Sequence, residues 1–448
     1  MSTKTFRGGA HPPERKERSA ELPIERIEQV KQVVIPVNQH FGAPIQPLVK
    51  VGDTVKRGQK IADSDGRMTC PVHASIAGTV KKIEPRMQPN NVEGLAIVIE
   101  PDGSGATEFM SPLDGFACTK EEALARIHEA GIVGMGGAGF PTWVKLAPPP
   151  NKPIDVVIAN AAECEPYLTI DERVLTEKPG DFVEGMAIVM RLLGVKRGVI
   201  GLEENKLHCV AGLEKAIAER ARGAGIEIVL LKTKYPQGGE KMLIVAITGK
   251  EVPSGGLPMD VGAVVQNVGT FVAVCEAFRD GKPLIERGFT ASGGALESPK
   301  NLYAPIGTVI ADLVPEVLKV DEAKVRKVIA GGPMMGVPVP NWNFPVQKNT
   351  SGVLFLDANE AKAPAEDPCI RCGRCMRACS CRLSPALLNK ALDSGDLDLA
   401  REIGVLDCIE CGTCSFVCPA HIQLVQRFRV GKQLLRAKLA KEAKHAGK

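Results

Sequence analysis

The sequence predicts a multidomain chain in which α/β and α+β units precede a small cysteine-rich domain. The chain has 448 residues, which is more than a single hydrophobic core usually spans. Strand-like and helix-like patterns alternate through its middle, as they do in domains built on parallel sheets. Nine of the 14 cysteines lie between Cys369 and Cys418, at spacings typical of metal ligands. We therefore expect three or four folded units, of which the last binds metal.

The composition argues against several classes of protein. Hydrophobic residues make up 44% of the chain, and no apolar run approaches the ~20 residues that a membrane-spanning helix needs. The N-terminus lacks the apolar segment of a secretory signal. The net charge of +4 is too small for nucleic-acid binding across the whole chain. We expect neither an integral membrane protein, nor a secreted one, nor a nucleic-acid-binding one.

The first 105 residues predict an N-terminal arm followed by a small β domain. Residues 1–29 form the arm, and residues 30–105 read as short strands separated by turn signals. This second segment resembles barrel-sandwich hybrid domains of the biotinyl-lipoyl type, whose carrier members bear a cofactor on a lysine at the hairpin tip. No lysine occurs between Lys60 and Lys81. The segment is therefore expected to be a structural or docking module instead of a covalent carrier.

Residues 115–270 predict an α/β domain with a parallel sheet. Thr119 is placed to begin a helix, with Glu122 at the capping-box position. Apolar runs at 155–160 and 226–231 then alternate with helical segments. This alternation is typical of a sheet covered by helices.

The remaining chain divides into three predicted segments. Residues 271–350 contain short Gly- and Pro-rich elements, which predict a small α+β domain. Residues 362–425 hold the clustered cysteines, and residues 426–448 form a basic amphipathic tail. Eight Lys or Arg and one Glu lie between residue 421 and the end, so this part carries +7 while the rest carries −3.

Two cysteine runs have the spacing C-x2-C-x2-C-x3-C, by which bacterial ferredoxins hold [4Fe–4S] clusters. Three thiolates of one run face one cluster, and the fourth reaches the other cluster. The first cluster is predicted on Cys369, Cys372, Cys375 and Cys418, and the second on Cys408, Cys411, Cys414 and Cys379.

A pair of structural zinc sites is the alternative for these cysteines. A structural zinc ion would need only four ligands, from two C-x2-C pairs, whereas the chain has two runs that each continue to a third and a fourth cysteine, which favours two iron–sulfur clusters. The first run departs from the ferredoxin pattern, because Ser380 replaces the usual proline and Cys381 is an additional thiol. We expect Cys381 to be a free thiol.

A glycine loop and three polar segments indicate a ligand site in the α/β domain. The loop runs from Gly134 to Phe140, with Lys145 five residues further on. Consecutive glycines let backbone N–H groups approach a phosphate or a flat ring, and a lysine can neutralise phosphate charge. The segments NAAECEP, YPQGGEK and QNVGT follow near predicted strand ends, where open α/β sheets bind ligands.

In this order the four segments resemble those of the flavin and NADH subunit of respiratory complex I. Together with the N-terminal FRGGAHPP segment and the double ferredoxin pattern, the chain is similar to the C subunits of Rnf electron-transport complexes. The resemblance covers residues 1–425. It implies a complex-I-type Rossmann-like flavin domain at residues 115–270 and a soluble ligand-binding β-grasp module at residues 271–350.

The resemblance also implies cofactor-binding residues. The residues implied to bind FMN are Gly134, Gly136, Gly137, Gly139, Lys145, Asn160, Glu163, Asn267 and Thr270. The residues implied to face NAD(H) are Phe140, Glu165, Gly238 and Glu240. Two positions depart from the complex I pattern, since Met135 replaces an arginine and Gly239 replaces a glutamate. The site is expected to position cofactors, and no catalytic acid, base or nucleophile is predicted.

A nicotinamide gives up a hydride, whereas an iron–sulfur cluster accepts one electron at a time, so FMN is expected between them. The resemblance implies a subunit of an ion-translocating ferredoxin:NAD oxidoreductase complex. Its implied partners are the ferredoxin-like B subunit and the membrane subunits, on the cytoplasmic side of the bacterial inner membrane. Association with the membrane would be peripheral.

Three alternatives share parts of this pattern. A flavin-dependent cobalamin reductase of propanediol metabolism is expected to carry its barrel-sandwich part after the flavin domain, whereas here that part comes first. The A subunit of the sodium-translocating quinone reductase lacks the ferredoxin cysteines. A flavin-less subunit that only conducts electrons would not need the four polar and glycine-rich segments.

The basic tail has two possible roles. Leu424, Phe428, Leu435 and Leu439 fall on one stripe of a predicted helix, surrounded by basic residues. Such a helix can dock a peripheral subunit onto a membrane arm or anionic headgroups. The alternative is a solvated terminus that keeps the protein soluble.

Overall fold

The structure, a computed structural model, describes residues 3–66 and 68–446. In these ranges the strands form four sheets, and each folded unit has a core of buried apolar side chains. Among the described residues, no helix combines the length and the apolar character needed to cross a membrane.

The N-terminal β domain consists of two small sheets, one of four strands and one of three, that enclose a core of Val, Ile and Ala side chains. Each sheet is antiparallel, and their strand orders are β2-β8-β7-β4 and β3-β5-β6. The strands are β2 (Val33–Pro36), β3 (Gln46–Pro47), β4 (Thr54–Val55), β5 (Lys60–Asp63), β6 (Val72–His73), β7 (Gly78–Met87) and β8 (Glu93–Pro101).

The α/β domain has a four-stranded parallel sheet of order β11-β10-β9-β12, which confirms the predicted parallel sheet. Its strands are β9 (Val156–Ala161), β10 (Arg197–Glu203), β11 (Gly225–Leu231) and β12 (Ala263–Asn267). Its α-helices are α1 (Lys120–Glu129), α2 (Thr142–Lys145), α3 (Ile170–Glu177), α4 (Pro179–Leu193), α5 (Val210–Arg220), α6 (Glu240–Thr248) and α7 (Val268–Arg279). Two 3₁₀ segments lie at Glu204–Cys209 and Pro258–Val261.

Local sequence signals explain where these helices begin and how they pack. The Thr119 hydroxyl accepts a hydrogen bond from the Glu122 N–H, and the Thr119 N–H donates to the Glu122 carboxylate, so the predicted capping box forms. Helices α4 and α7 lie close together because Gly185 has no side chain; a Cβ there would come within 1.9 Å of the Phe271 carbonyl. The predicted domain boundary at residue 270 falls inside α7, whose apolar side chains belong to the α/β core.

The third unit is a six-stranded mixed sheet of order β1-β14-β13-β17-β15-β16. Its strands are β1 (Ile24–Arg26), β13 (Glu286–Ser292), β14 (Lys300–Pro305), β15 (Lys327–Ala330), β16 (Val337–Val339) and β17 (Gly352–Leu356). A short helix α8 (Ile310–Leu313) continues into a π-helical turn at Val314–Leu318. The predicted arm therefore contributes β1, paired in parallel with β14, to a sheet some 270 residues further along the chain.

The cysteine-rich unit is helical. Its helices are α9 (Arg374–Ala378), α10 (Pro385–Asp393), α11 (Leu397–Glu402), α12 (Thr413–Phe416) and α13 (Leu424–Ala446), with a 3₁₀ turn at Val405–Asp407. Helix α13 begins within the predicted ferredoxin segment, so the expected division between residues 425 and 426 cuts this helix.

The apolar stripe of the tail faces the cysteine-rich unit. Leu424, Phe428 and Leu435 are buried in one cluster with Leu388 of α10, and Leu439 packs against its edge. The stripe is thus part of a hydrophobic core. Packing against this core removes its side chains from water, so no membrane is needed to cover them. The stripe itself is therefore not available to a membrane, and docking of the tail through its basic residues stays a prediction.

Candidate functional site

The glycine loop presents bare backbone at the edge of the parallel sheet. It leads from α1 to α2 and closes on itself, since the Gly134 N–H donates to the Phe140 carbonyl at 2.8 Å. Residues 136–138 are exposed, and no described atom lies within 4 Å of where a Cβ of Gly137 would stand. Gly139 has a φ of +69°, which favours glycine. This surface fits a phosphate or a flat ring.

The polar strand ends converge on this loop. Asn160 and Asn267 lie at the carboxyl ends of neighbouring strands and are paired in register. The Asn267 side chain accepts from the Gly269 N–H at 2.8 Å and so caps α7, while the Thr270 hydroxyl accepts from the Met135 N–H at 3.1 Å. The Asn160 amide donates to the Gly238 carbonyl at 2.8 Å. These contacts bring four of the predicted segments to one edge of the sheet.

Lys145 and Glu240 form an ion pair across this edge. Their Nζ and Oε1 atoms lie 2.6 Å apart, and both side chains remain partly exposed. The resemblance implies that Lys145 binds FMN and that Glu240 faces NAD(H). An anionic ligand on the glycine loop can therefore replace Glu240 as the partner of Lys145.

Glu163 is engaged elsewhere than at the glycine loop. Its two carboxylate oxygens accept from the backbone N–H groups of Asp171 at 2.9 Å and Glu172 at 3.3 Å, at the start of α3. A carboxylate stabilises a helix N-terminus, where backbone N–H groups lack partners. Burial, followed by repulsion from Glu163, raises the pKa of Asp171. Asp171 in turn accepts from the Asn267 amide at 2.7 Å, which links Glu163 to the site indirectly.

Glu165 lies at the contact between the α/β domain and the mixed-sheet unit. Its carboxylate accepts from the N–H groups of Met334 at 3.0 Å and Met335 at 2.9 Å. Burial raises the pKa of Glu165 to about 7 despite these bonds. A Cβ on Gly332 would come within 2.2 Å of the carboxylate, so the turn carrying Met334 packs closely on it.

Tyr235, which the sequence analysis did not single out as a site residue, lies beside Glu165. Its side chain is only 1% exposed. Burial, and then the nearby groups Glu165, Cys164 and Cys411, raises the pKa of Tyr235. The tyrosine thus lies near both the nucleotide-facing segments and the second cysteine run. Its place at the start of YPQGGEK was the available signal.

An aromatic pair stands at the rim of the glycine loop. Phe41, from the N-terminal β domain, stacks on Phe140 with ring centroids 6.0 Å apart and planes 24° apart. The Phe41 N–H donates to the Gly139 carbonyl at 3.0 Å. Phe41 is 59% exposed. The N-terminal β domain therefore reaches the predicted nucleotide site, which no local sequence pattern indicated.

Arg287 is a buried cation beneath the glycine loop. Its Nε donates to the Thr350 carbonyl at 2.6 Å, and its Nη1 lies 2.9 Å from the sulfur of Met135. Burial lowers the pKa of Arg287, and the charge of Asp171 opposes this. The arginine that the complex I pattern carries at position 135 is thus replaced by methionine, while a different arginine approaches from the mixed sheet.

The second cysteine group surrounds a cavity. The cavity has a volume of about 380 Å³, part of it open to solvent, and apolar side chains such as Phe428 line it. Its cysteines are Cys379, Cys381, Cys408, Cys411 and Cys414. Burial, and then the thiols of Cys408, Cys411 and Cys379, raises the pKa of Cys414 to about 12. Cys379 thus joins the second run, as the crossed ferredoxin assignment predicts, and Cys381 stands beside it.

The first cysteine group lies at the surface. Cys369 and Cys372 are exposed, and Cys375 is partly buried. Burial raises the pKa of Cys375, to which the nearby thiols of Cys418 and Cys372 contribute. Cys418 thus reaches the first run. In the ranges that the structure describes, no three His, Cys, Asp or Glu side chains are arranged to hold a single metal ion.

The second cysteine group and the glycine edge fit the expected groups. Five thiols line the apolar cavity, and four of them, Cys379, Cys408, Cys411 and Cys414, match the donor set of a [4Fe–4S] cluster. Bare glycine backbone beside Lys145 matches the needs of a phosphate-bearing flavin.

Three family models match the chain in this order. The RnfC barrel sandwich hybrid domain matches residues 4–104, the Nuo51 FMN-binding domain matches residues 127–276, and the 4Fe-4S dicluster domain matches residues 362–419.

Two curated relatives match almost the whole chain. The C subunit of the proton-translocating ferredoxin:NAD(+) oxidoreductase complex of Clostridium ljungdahlii is 46% identical over 97% of this chain and 94% of its own length. The C subunit of the Na(+)-translocating ferredoxin:NAD(+) oxidoreductase complex of Acetobacterium woodii is 42% identical over 96% of both chains.

Among solved structures, an NAD+-reducing [NiFe]-hydrogenase in the H2-reduced state has a similar fold. The alignment has a TM-score of 0.50 and 21% identity, and it covers 76% of this chain and 69% of that chain.

Proposed function

The chain belongs to the family of C subunits of Rnf ion-translocating ferredoxin:NAD oxidoreductase complexes, and from this premise we propose that it exchanges hydride between NAD(H) and FMN and passes electrons singly to two [4Fe–4S] clusters. FMN, when bound, supplies the conversion between two-electron and one-electron transfer. The protein's part is to hold the groups in order and to keep water from the inner ones.

One observation carries this proposal: the predicted nucleotide site and the second cysteine group share Tyr235 as a neighbour. Glu165 and Cys411 both lie near enough to Tyr235 for their charges to raise its pKa. The Met334 turn supports the same arrangement, because it binds Glu165 and its carbonyl lies where a Cβ of Gly412 would come within 2.9 Å. A flavin on the glycine edge would thus lie near the second group.

Each set of residues has a proposed task. The glycine edge and Lys145 hold the FMN phosphate, and Asn160, Asn267 and Thr270 hold the edge itself in place. Phe140 and Glu165 face the nicotinamide nucleotide.

The second cysteine group takes electrons from the flavin side, and the first group exchanges them with the partner that binds its exposed surface. We infer that this partner is another subunit of the complex and that the chain is held to the membrane through its partners. Residues 271–350 are inferred to be a β-grasp module.

Anaerobic purification with flavin and iron counting, followed by titration with NADH, tests the proposal. We expect about one FMN and about eight irons per chain, and loss of the flavin absorbance before that of the clusters. Protein that carries iron but no flavin would instead support a subunit that only conducts electrons. Flavin that NADH fails to reduce would contradict the proposed reaction.

A further inference from the structure

The N-terminal arm passes between the predicted nucleotide site and the second cysteine group. At its start, the Lys4 N–H donates to the Leu230 carbonyl at 2.8 Å, and Lys4 accepts from the Lys232 N–H at 3.0 Å. Ala10 and Tyr235 then exchange two backbone hydrogen bonds, each of 2.8 Å. The arm therefore forms two isolated β-bridges, a parallel one from Lys4 to Leu231 at the end of β11 and an antiparallel one from Ala10 to Tyr235.

The same arm residues contact the cysteine-rich unit. The Gly9 N–H donates to the Ala378 carbonyl at 2.8 Å. The next residue is Cys379, which belongs to the second cysteine group. An unbroken series of peptide groups and hydrogen bonds thus joins Tyr235, through Ala10 and Gly9, to Cys379.

Two glycines are required for this contact. Gly8 has a φ of +89° and Gly9 a φ of +90°. A Cβ on Gly8 would come within 2.9 Å of the Cys379 carbonyl oxygen, and one on Gly9 within 2.8 Å of the Tyr235 carbonyl oxygen. Both neighbours are backbone atoms that cannot move aside without displacing their peptide. The glycine pair therefore sets the distance between the two peptides.

Side chains hold the arm in this place. The Lys234 Nζ donates to the Gly8 carbonyl at 3.0 Å and lies 3.9 Å from the centre of the Phe6 ring, which is itself buried. Further along, the Lys16 Nζ donates to the Glu163 carbonyl at 2.7 Å. Arg18 donates to the Gly293 carbonyl at 3.0 Å. The arm thus has anchors on the α/β domain and on the mixed-sheet unit.

We propose that Gly8 and Gly9 are positioning residues, which hold the Cys379 peptide at a fixed short distance from the Tyr235 peptide and so set electron transfer between the flavin site and the second cysteine group. This inference rests on the proposed function. It assigns a task to the FRGGAHPP segment, which lies outside the cofactor-binding residues.

Other contacts keep the cysteine-rich unit docked when this one is disturbed. Ser254 donates to the Asp407 carboxylate, with oxygen distances of 2.8 and 2.7 Å, and Arg382 forms an ion pair of 3.1 Å with Glu251. A substitution in the glycine pair is therefore expected to shift the Cys379 peptide locally while the units stay together.

The test compares Gly8→Ala with Gly52→Ala in the full-length protein loaded with FMN and iron. Gly52 is a matched control because its φ is +95°, yet no described atom lies within 4 Å of its would-be Cβ. Stopped-flow mixing with NADH follows the flavin and cluster absorbances separately. In Gly8→Ala the flavin should be reduced at the wild-type rate. Its clusters should be reduced several-fold more slowly than in the wild type and in Gly52→Ala, because the displaced Cys379 peptide lengthens the path from the flavin site to the second cysteine group.

A spectroscopic readout separates this role from a merely structural one. In protein reduced chemically without NADH, Gly8→Ala should alter the paramagnetic signal of the second cluster and leave that of the first unchanged, with full iron content. Cluster reduction as fast as in Gly52→Ala, together with an unchanged signal, would overturn the proposal. If NADH fails to reduce the wild-type flavin, the proposed function fails, and the paramagnetic signal alone then decides the positioning role.

A second variant keeps the proposal testable if Gly8→Ala does not fold. Lys234→Met removes the hydrogen bond to Gly8 and the charge over Phe6 but adds no bulk to the contact. It should slow cluster reduction in the same direction, with flavin reduction unchanged. Equal rates of both steps in Lys234→Met and the wild type would show that the arm does not position Cys379.

Discussion

The two cysteine groups have the same spacing in sequence but opposite surroundings in the structure. The second group lines a cavity with Phe428, and its Cys379 lies against Gly8 of the N-terminal arm. The first group begins with Cys369 and Cys372, both exposed. Identical ligand spacing therefore does not mean identical roles, because the surrounding protein decides which group is protected from water and which is open to a partner.

This difference gives the electron path an order. The inner group can meet the flavin side through contacts within the chain, whereas the outer group can meet a second protein without any change in fold. The chain is a subunit of a complex. We therefore regard the second group as the inner relay and the first as the outlet.

The largest expected effect separates the two groups directly. Cys411→Ser should remove the inner cluster, so that NADH still reduces the flavin but no longer the remaining cluster. Cys372→Ser should remove the outer cluster and leave the inner one reducible by NADH. Iron counting, paramagnetic spectra and NADH titration measure this. The order is wrong if Cys411→Ser leaves the outer cluster fully reducible.

Glu165→Gln tests the surroundings of the inner cysteine group through the pH dependence of stability. The folded pKa of Glu165 is about 7, above the ordinary value of 4.5, because burial disfavours the charge. Between these values the folded protein holds a proton that the unfolded chain has lost, so wild-type stability should fall as the pH rises from 4.5 to 7. The loss is up to about 3 kcal/mol, as each pKa unit is worth about 1.4 kcal/mol.

Thermal release of flavin fluorescence, followed across this pH range, measures the effect. Glu165→Gln should lack this pH dependence while retaining FMN, and its flavin should be reduced more slowly by NADH. A variant with the wild-type pH profile would show that another group titrates there.

Lys145→Ala should weaken FMN binding by about 1.5–3 kcal/mol, the usual worth of a charged hydrogen bond. The reason is that the variant lacks the ammonium group, which in the wild type can leave Glu240 and pair with a ligand phosphate. Equilibrium dialysis of FMN measures the change. Lys250→Ala is a suitable control, since Lys250 forms an exposed ion pair with Asp155 at the other end of β9. Equal FMN retention in both variants would contradict the assigned phosphate contact.

Patterns carried by neighbouring residues predicted a large part of this arrangement. The Thr119–Glu122 capping box and the parallel sheet follow from local sequence, and strand-end logic placed Asn160 beside Asn267. Ferredoxin spacing likewise predicted that Cys379 would join the second run. In each case the signal and the structure involve the same short segments.

Contacts between distant segments escaped prediction. Phe41 meets Phe140 across about 100 residues, and Arg287 reaches Met135 from another domain. The stripe of α13 shows a second limit, because an amphipathic pattern reveals that one face is buried but not what covers it. Here Leu388 covers it, which the membrane-docking hypothesis had not anticipated.

The smallest expected effect compares the charges beside the two groups. The buried Lys432 donates to the Cys408 carbonyl at 2.8 Å and to Glu410 at 2.7 Å, whereas the exposed Arg377 donates to the Cys372 carbonyl at 3.3 Å. A nearby cation favours the reduced cluster, which carries one more negative charge, and so raises its reduction potential.

Lys432→Gln should therefore lower the potential of the inner cluster. The shift should correspond to about 1 kcal/mol, at the upper end for screened charge pairs, and Arg377→Gln should change the outer cluster less. Redox titration of each paramagnetic signal measures both. Because solvent screens Arg377 but not Lys432, equal shifts in the two variants would mean that burial does not distinguish the two groups electrostatically.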